Sequence, residues 1–425
     1  MASLSSTIAR QLQLFAPLRY REFRLFWIGL VAQVAGRQMM MVTVGWLTFD
    51  LTHSPLVLGF VNLFTALPQL TLSLLGGALA DRLDRRLLIA ISQSISALVI
   101  VTLGVLTATG LIEVWHLFVA AVLIGLVHAF DEPSRQSLFP NLLPDRSKLP
   151  EAVPLLSMAW QLNRIVAPSI AGFVIAFAGA GISFFISAAG AAMMAAVMRL
   201  LHVPRVSRSG SGNMLGMIAQ GLGYVRGHAV FRVVIGLAFF NSLFALGYTL
   251  MMPVFAVDVF DVGPAGLGVM YSFTGLGGVA GLLTVSRLVR AFGPGRVILA
   301  SLGTFAGALI VFALSTSFLP ALGILVVIGY TSHIYLTGGE IVLQTLVPDQ
   351  LRGRVMGLYG MLWTVMPLGA FGLNAVANFT GAPYALAGGA GIVLLGVLLV
   401  AARAPALIRV RLDQAPETAE PPASV

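Results

Sequence analysis

Long apolar segments constrain this chain more than any other feature of its sequence. The chain is 58% hydrophobic and only 10% charged, which excludes an ordinary soluble globular protein. Each apolar segment is about long enough to cross the hydrocarbon core of a bilayer, so we expect an all-α integral membrane protein. The twelve predicted segments cover residues 23–49, 55–79, 86–109, 113–139, 150–178, 182–201, 231–256, 264–290, 295–316, 319–346, 353–378 and 382–404.

The positive charges indicate on which side of the membrane each loop lies. Of the 25 lysines and arginines, all but Arg37 and Arg164 fall in the two tails or at the ends of even-numbered segments. Basic loops are retained on the cytoplasmic side, so both termini are predicted to be cytoplasmic. The net charge of +9 is therefore interpreted as a topology signal, and nucleic acid is not an expected partner.

Short sequences of the first half return in the same order in the second half. Ser54-Pro-Leu-Val-Leu-Gly returns as Gly263-Pro-Ala-Gly-Leu-Gly, and Asn141-Leu-Leu-Pro-Asp-Arg as Thr345-Leu-Val-Pro-Asp-Gln. Such echoes predict two pseudo-symmetric six-helix bundles from a duplicated unit. The predicted divisions are a cytoplasmic tail at 1–22, a bundle at 23–201, a cytoplasmic linker with an amphipathic helix at 202–230, a second bundle at 231–404 and a disordered cytoplasmic tail at 405–425.

A charged decapeptide, Gly77-Ala-Leu-Ala-Asp-Arg-Leu-Asp-Arg-Arg86, separates segments 2 and 3. Charge is strongly disfavoured within the bilayer, so this stretch must be a tight interfacial loop. It resembles the signature loop of the major facilitator superfamily, although Asp84 replaces the usual glycine. The resemblance implies the major facilitator fold and a cytoplasmic latch between two rocking bundles, with anchoring of topology as the alternative. The expected latch residues are Gly77, Asp81, Arg82, Arg85 and Arg86.

A second charged stretch, Asp131-Glu-Pro-Ser-Arg135-Gln, lies near the inner end of segment 4. It resembles the Asp-x-Pro-x-Arg-Gln stretch of drug and siderophore exporters within the same superfamily. Asp131 and Arg135 stand one helical turn apart and can form an ion pair. Glu132 would then be free to titrate or to meet Arg164. Proton coupling and a purely structural ion-pair network both remain open for these acids.

Two arginines fall inside predicted spans, where charge is costly in lipid. Arg164 follows Asn163 in segment 5, in a stretch similar to the Gly-Pro-x-x-x-Gly pattern of exchangers, with Ala167 at the first glycine. Arg37 lies in the middle of segment 1, with Gln33 one turn before it. We expect Arg37 to line a cavity, where it binds substrate or pairs with an acid, and a static buried pair is the alternative.

The second half offers one acid that lies clearly within a span, Glu340 in segment 10. A partly desolvated carboxylate there can load and release protons. His333, two turns earlier, is a candidate relay, although a single histidine is more often merely hydrogen-bonded. Trp363 belongs to the aromatic residues that can line an apolar cavity, and ordinary packing is its alternative.

Taken along nearly the whole chain, the sequence resembles bacterial exporters of the enterobactin-exporter and macrolide-efflux type. This resemblance implies proton-driven efflux of an amphipathic drug or siderophore by alternating access, in a multi-pass monomer of the cell inner membrane. The partners would be the substrate, protons and the lipid bilayer. No metal site, cofactor or enzymatic activity is predicted, since the sequence contains no cysteine and no nucleotide-binding Gly-x-x-x-x-Gly-Lys-Ser/Thr motif. An importer or facilitator, a lipid or lysolipid flippase and a non-transporting sensor are the alternatives.

Overall fold

The computed structural model describes residues 15–145, 148–202 and 214–403. All regular secondary structure within those ranges is helical. Twelve helical stretches there are long and apolar enough to cross a membrane. A spanning segment must satisfy every backbone N–H and C=O internally, which a helix does. The predicted all-α membrane fold with twelve spans is therefore confirmed.

The first six spans are single helices that follow one another with short connections. Ser54 caps the second of them, because its Oγ accepts a hydrogen bond from the Val57 N–H at 3.4 Å. Asp84 caps the third, since Oδ1 accepts from the Arg86 N–H at 2.9 Å. Their bounds are α1 Arg21–Thr52, α2 Pro55–Arg82, α3 Arg85–Ala108, α4 Val114–Leu138, α5 Leu149–Ala178 and α6 Ala180–Leu200.

The described residues from 214 to 403 form nine α-helices, of which the first is the linker helix. This helix is α7, Met214–Gly227. It packs against α13, Asp349–Gly360. The others are α8 Ala229–Phe244, α9 Tyr248–Val254, α10 Gly263–Phe292, α11 Pro294–Ala313, α12 Phe318–Leu346, α13 Asp349–Gly360, α14 Leu362–Thr380 and α15 Ala382–Arg403.

The seventh span departs from the uninterrupted helix that its apolar sequence predicts. It is broken between α8 and α9, where the N–H groups of Ala245 and Leu246 both donate to the C=O of Asn241. It ends in a π-helix, Phe255–Val259. The eleventh span is likewise divided, at Met361, between α13 and α14. Breaks of this kind re-satisfy the backbone locally and leave no trace in hydropathy.

By contacts the chain divides into two compact units. One comprises the described parts of Met1–Ser211 and Leu250–Ser272, and the other those of Gly212–Thr249 and Phe273–Val425. The first unit has a core in which Phe23 and Phe26 of α1 pack with Ile89 and Met194. The second has a smaller cluster around Val285 and Ile334. The bundle limits at 23–201 and 231–404 stay a prediction, and the tail at 405–425 lies outside the described residues.

Candidate functional site

The buried ion pair expected on α4 is present. The Nε of Arg135 lies 3.0 Å from Oδ2 of Asp131, and the two side chains are 6% and 0% exposed. They stand four residues apart, so successive turns of one helix present them to each other. Gln93 of α3 lies beside the same carboxylate. Both charges are therefore held away from water inside the first unit.

A second, more accessible ion pair joins α1 to α4. Nη1 of Arg37 lies 3.6 Å from Oε2 of Glu132, and the side chains are 26% and 36% exposed. Charge-assisted hydrogen bonds are usually 2.7–2.9 Å long, so this pair is loose. The structure thus gives Arg37 an acidic partner, one of the two roles expected for it, and gives Glu132 a partner on α1.

One amide and one indole connect the two pairs. Nη1 of Arg135 donates to Oε1 of Gln33 at 2.7 Å, which ties α4 to α1. The guanidinium carbons of Arg37 and Arg135 lie 5.7 and 5.6 Å from the ring centroid of Trp160, on α5. Both distances are within the range of cation–π attraction. We call Arg37, Asp131, Glu132 and Arg135 the charge cluster, and Trp160 is the side chain against which its two cations lie.

Close packing of α1 on α6 fixes the position of the cluster. A methyl group in place of the Gly36 hydrogen would lie 2.5 Å from the C=O of Ser187. The backbones of α1 and α6 can therefore come this close only because residue 36 has no side chain. This contact holds Arg37, the next residue, and Gln33, one turn before it, against the interior of the first unit.

The polar groups beside the cluster enclose a small cavity, which we call the polar recess. Its volume is about 20 Å³, and its polar lining comes from four helices. Nδ1 of His128 is buried and has no hydrogen-bond partner among the described residues. The polar residues that line the recess are Gln33, Arg37, Gln93, Ser96, His128 and Ser187.

The predicted residues of α5 lie close to Trp160 in sequence but have contacts of their own. Asn163 donates from Nδ2 to the C=O of Ala159 at 2.8 Å, within its own helix. Arg164 is half-buried, one turn after Trp160. Gly172, at the end of the glycine-proline pattern, meets the backbone of Gly268 on α10. This pattern therefore contributes a helix crossing within the first unit.

The candidates in the second unit form a separate group. Glu340 is half-buried on α12, near Tyr359 of α13. Tyr359 donates from its hydroxyl to the C=O of Leu336 at 2.9 Å. Nδ1 of His333 bonds to the C=O of Gly329 at 2.9 Å, the ordinary alternative for a membrane histidine. Trp363 is half-buried on α14.

Comparison with known families identifies the kind of protein that carries this site. Residues 12–423 match the transmembrane secretion effector family of the major facilitator superfamily. The chain belongs to this family. It is a multi-pass membrane transporter of the major facilitator type, and the relatives and the fold are those of transporters rather than enzymes.

Curated relatives of this family cover most of the chain. A staphyloferrin A transporter of Staphylococcus aureus is 26% identical over 81% of this chain and 87% of its own. A multidrug efflux pump of Mycolicibacterium fortuitum is 30% identical over 86% and 92%. An enterobactin exporter of Salmonella typhi is 24% identical over 82% and 84%. Among solved structures, a nucleoside transporter matches 90% of this chain with a TM-score of 0.69 at 16% identity, which supports the fold.

In this transporter two arginines of the signature loop contact the ends of helices. Nη1 of Arg85 donates to the C=O of Ser137 at 2.9 Å, and Nη1 of Arg86 donates to the C=O of Leu201 at 2.6 Å. These carbonyls lie at the C-terminal ends of α4 and α6, where cations are favoured by the helix dipole. Both arginines therefore bind helix ends within the first unit. Gly77 is buried, and the side chains of Asp81 and Arg82 lie outside the described part of the chain.

Asp84 completes this arrangement outside the membrane spans. Burial raises the pKa of its carboxyl, but hydrogen bonds and charge from Arg86 outweigh that effect and hold the pKa below its ordinary value. Stability from this contact is present above the ordinary pKa of an aspartate and is lost as the pH falls through the lowered value. Asp84, which replaces the glycine of the family pattern, therefore caps α3.

We expect Arg86→Gln to destabilise the transporter modestly, by about 1 kcal/mol, because a partly exposed charged donor leaves the end of α6. The apparent Tm of the purified protein measures this effect. The matched control is Arg24→Gln, since Arg24 donates to the C=O of Leu18 at 3.4 Å on an exposed surface. Equal Tm values for the two variants would contradict the assigned role of Arg86.

The sequence did not single out His128, Gln93 or Trp160. His128 precedes Asp131 by three residues and Arg135 by seven, which places all three on one face of α4. Trp160 precedes Arg164 by one turn. Their helical spacing from charged residues could have identified His128 and Trp160, but not Gln93.

Proposed function

We propose that this transporter exports amphipathic small molecules, drugs or siderophores, in exchange for protons, by alternating access. We place it as a monomer in the bacterial cytoplasmic (inner) membrane, with both termini in the cytoplasm. The family match and the efflux pump and exporter among its relatives support transport in this direction. No cofactor is required, because the proton gradient supplies the energy.

The accessible pair Arg37–Glu132 is the observation that carries the proposal. The side chain of Glu132 is 36% exposed, whereas that of the neighbouring Asp131 is fully buried. A proton can therefore reach Glu132 without unfolding the site. With Glu132 charged, Arg37 is held beside the polar recess. With Glu132 protonated, the attraction is lost and Arg37 leaves its position.

This arrangement couples protons to substrate with the sign that export requires. The charged form of Glu132 keeps the guanidinium in place as a substrate-binding donor, and the protonated form releases it. Proton binding from outside would thus displace the substrate, and proton loss to the cytoplasm would restore the site. Asp131 and Glu340 remain the other candidate carriers, and Asn163, Arg164 and Trp363 remain candidates for the substrate cavity.

We expect Glu132→Gln to abolish the acceleration of efflux by an inward proton gradient, because the amide cannot titrate. Substrate counterflow without a gradient should remain measurable at high substrate concentration. Both rates are measured in proteoliposomes with one transported drug, and the matched variants are Asp131→Asn and Glu340→Gln. Unchanged gradient-driven efflux in all three variants would refute proton coupling at these acids. Loss in Glu340→Gln alone would transfer the carrier role to α12.

The alternatives separate in the same proteoliposomes. A facilitator would show counterflow that a proton gradient does not accelerate. For a proton-coupled importer, efflux would be accelerated by an outward proton gradient instead. A lysolipid flippase would redistribute a labelled lysolipid between leaflets, and a sensor would show no flux of any substrate.

A further inference from the structure

The polar recess lies beside the charge cluster and contains groups that proton exchange does not use. It is lined by Gln33 and Arg37 of α1, Gln93 and Ser96 of α3, His128 of α4 and Ser187 of α6. Its volume of about 20 Å³ holds one water-sized group but not a whole drug. The edge of the recess is open at Arg37, whose side chain is 26% exposed. A substrate can therefore place only one small polar group there.

Three of the polar side chains that line this recess offer hydrogen-bond donors, namely Gln33, Arg37 and His128. The Oε1 of Gln33 already accepts from Arg135, which has no acceptor of its own. The amide orientation is thereby fixed, and the Nε2 donors of Gln33 are left for the recess. Arg37 has five N–H donors and uses one edge towards Glu132, so others remain. In its Nδ1–H tautomer, His128 adds a buried donor that has no partner among the described residues.

The charges around the recess are balanced. The charge cluster contains two arginines and two carboxylates, joined as Arg37–Glu132 and Arg135–Asp131. None of the described residues that line the recess is acidic, and its one cation is already compensated by Glu132. A ligand carboxylate would add an uncompensated negative charge, and an ammonium group would lie beside the like charge of Arg37. The group that fits donors without net charge is a neutral acceptor oxygen.

We propose that the polar recess binds an uncharged carbonyl oxygen of the transported molecule, as found in amides, esters, lactones and ketones. Gln33, Arg37 and His128 donate to this oxygen, while the apolar body of the substrate lies outside the recess. The inference deepens the proposed export function and rests on it for the statement that the ligand is transported. Binding itself requires neither a gradient nor turnover.

A matched set of naphthalene probes tests this inference in the purified transporter. Naphthylacetamide offers a neutral carbonyl, naphthylacetic acid a carboxylate, naphthylethylamine an ammonium group and ethylnaphthalene no polar group. Equilibrium dialysis at neutral pH without a gradient gives their affinities. We expect the amide to bind at least about tenfold more tightly than each of the other three. Absence of amide binding, equal affinities or a preference for a charged probe would overturn the inference and indicate a resident water only.

Variants locate the binding group. Arg37→Gln should weaken binding of the amide at least about tenfold, and His128→Leu severalfold, with little effect on ethylnaphthalene. The control is Arg199→Gln, which removes a cation from the exposed inner end of α6, outside the recess. If Arg37→Gln does not fold, His128→Leu decides the outcome alone. Amide selectivity that survives in the tested recess variants would overturn the assignment.

The two proposals can fail separately. Carbonyl-selective, Arg37-dependent binding without gradient-driven flux would refute proton-coupled export and leave the recess assigned. Gradient-driven efflux by a transporter that binds all four probes equally would refute carbonyl binding in the recess and support proton-coupled export.

Discussion

Arg135→Leu is expected to destabilise the transporter by about 3–5 kcal/mol, the largest effect that we predict for a single side chain. The substitution leaves the carboxylate of Asp131, which is fully buried, without the cation that lies 3.0 Å away. It also removes the donor to Oε1 of Gln33. The measurement is the yield of monodisperse protein and its apparent Tm by fluorescence-detected size-exclusion chromatography.

A double variant distinguishes an unpaired charge from lost packing. Asp131→Leu combined with Arg135→Leu should recover most of the lost stability, since apolar replacement of a whole buried pair is often neutral. The control is Arg352→Leu, because the pair Arg352–Asp349 is 42% and 85% exposed and should contribute less than about 1 kcal/mol. A Tm for Arg135→Leu equal to that of Arg352→Leu would show that the buried pair is energetically unimportant.

Gly172→Val is expected to abolish transport and to cost about 3 kcal/mol, at the upper end for overpacking. A Cβ at this position would lie 2.4 Å from Cα and 2.5 Å from N of Gly268. Both atoms belong to the backbone, so neither can rotate away as a flexible side chain can. The helices α5 and α10 must therefore separate along their crossing in the first unit.

The control for this substitution is Gly307→Val on α11, since no atom lies within 4 Å of a Cβ built there. Substrate counterflow and apparent Tm are compared for the two valine variants. Wild-type flux in Gly172→Val would show that the crossing tolerates a side chain and that the glycine-proline pattern has another role here.

The fold was predictable because a membrane leaves few choices. Twelve apolar segments had to be helices, and their bounds agree with the structure to within a few residues at most ends. The break near Ala245 was not predictable, because it arises where two N–H groups share the C=O of Asn241. Hydropathy is equally high on both sides of such a break, so composition gives no signal.

The candidate site was predictable only where residues of one helix define it. The spacing of Asp131 and Arg135 indicated their pair, and the cost of charge in lipid indicated that Arg37 needs a partner. The identity of that partner, Glu132, depends on how α1 packs on α4, which no local pattern contains. His128 and Trp160 are uncharged, so they attract attention only after the charges beside them have been placed.

The position of Trp160 beside two guanidinium groups has a consequence for spectroscopy. An indole's emission wavelength responds to the local electric field, and here that field is set largely by cations 5.7 and 5.6 Å from the ring. Any step that displaces Arg37 changes the field at the ring. The transporter therefore contains an intrinsic optical reporter of its own charge state, with no label needed at the site.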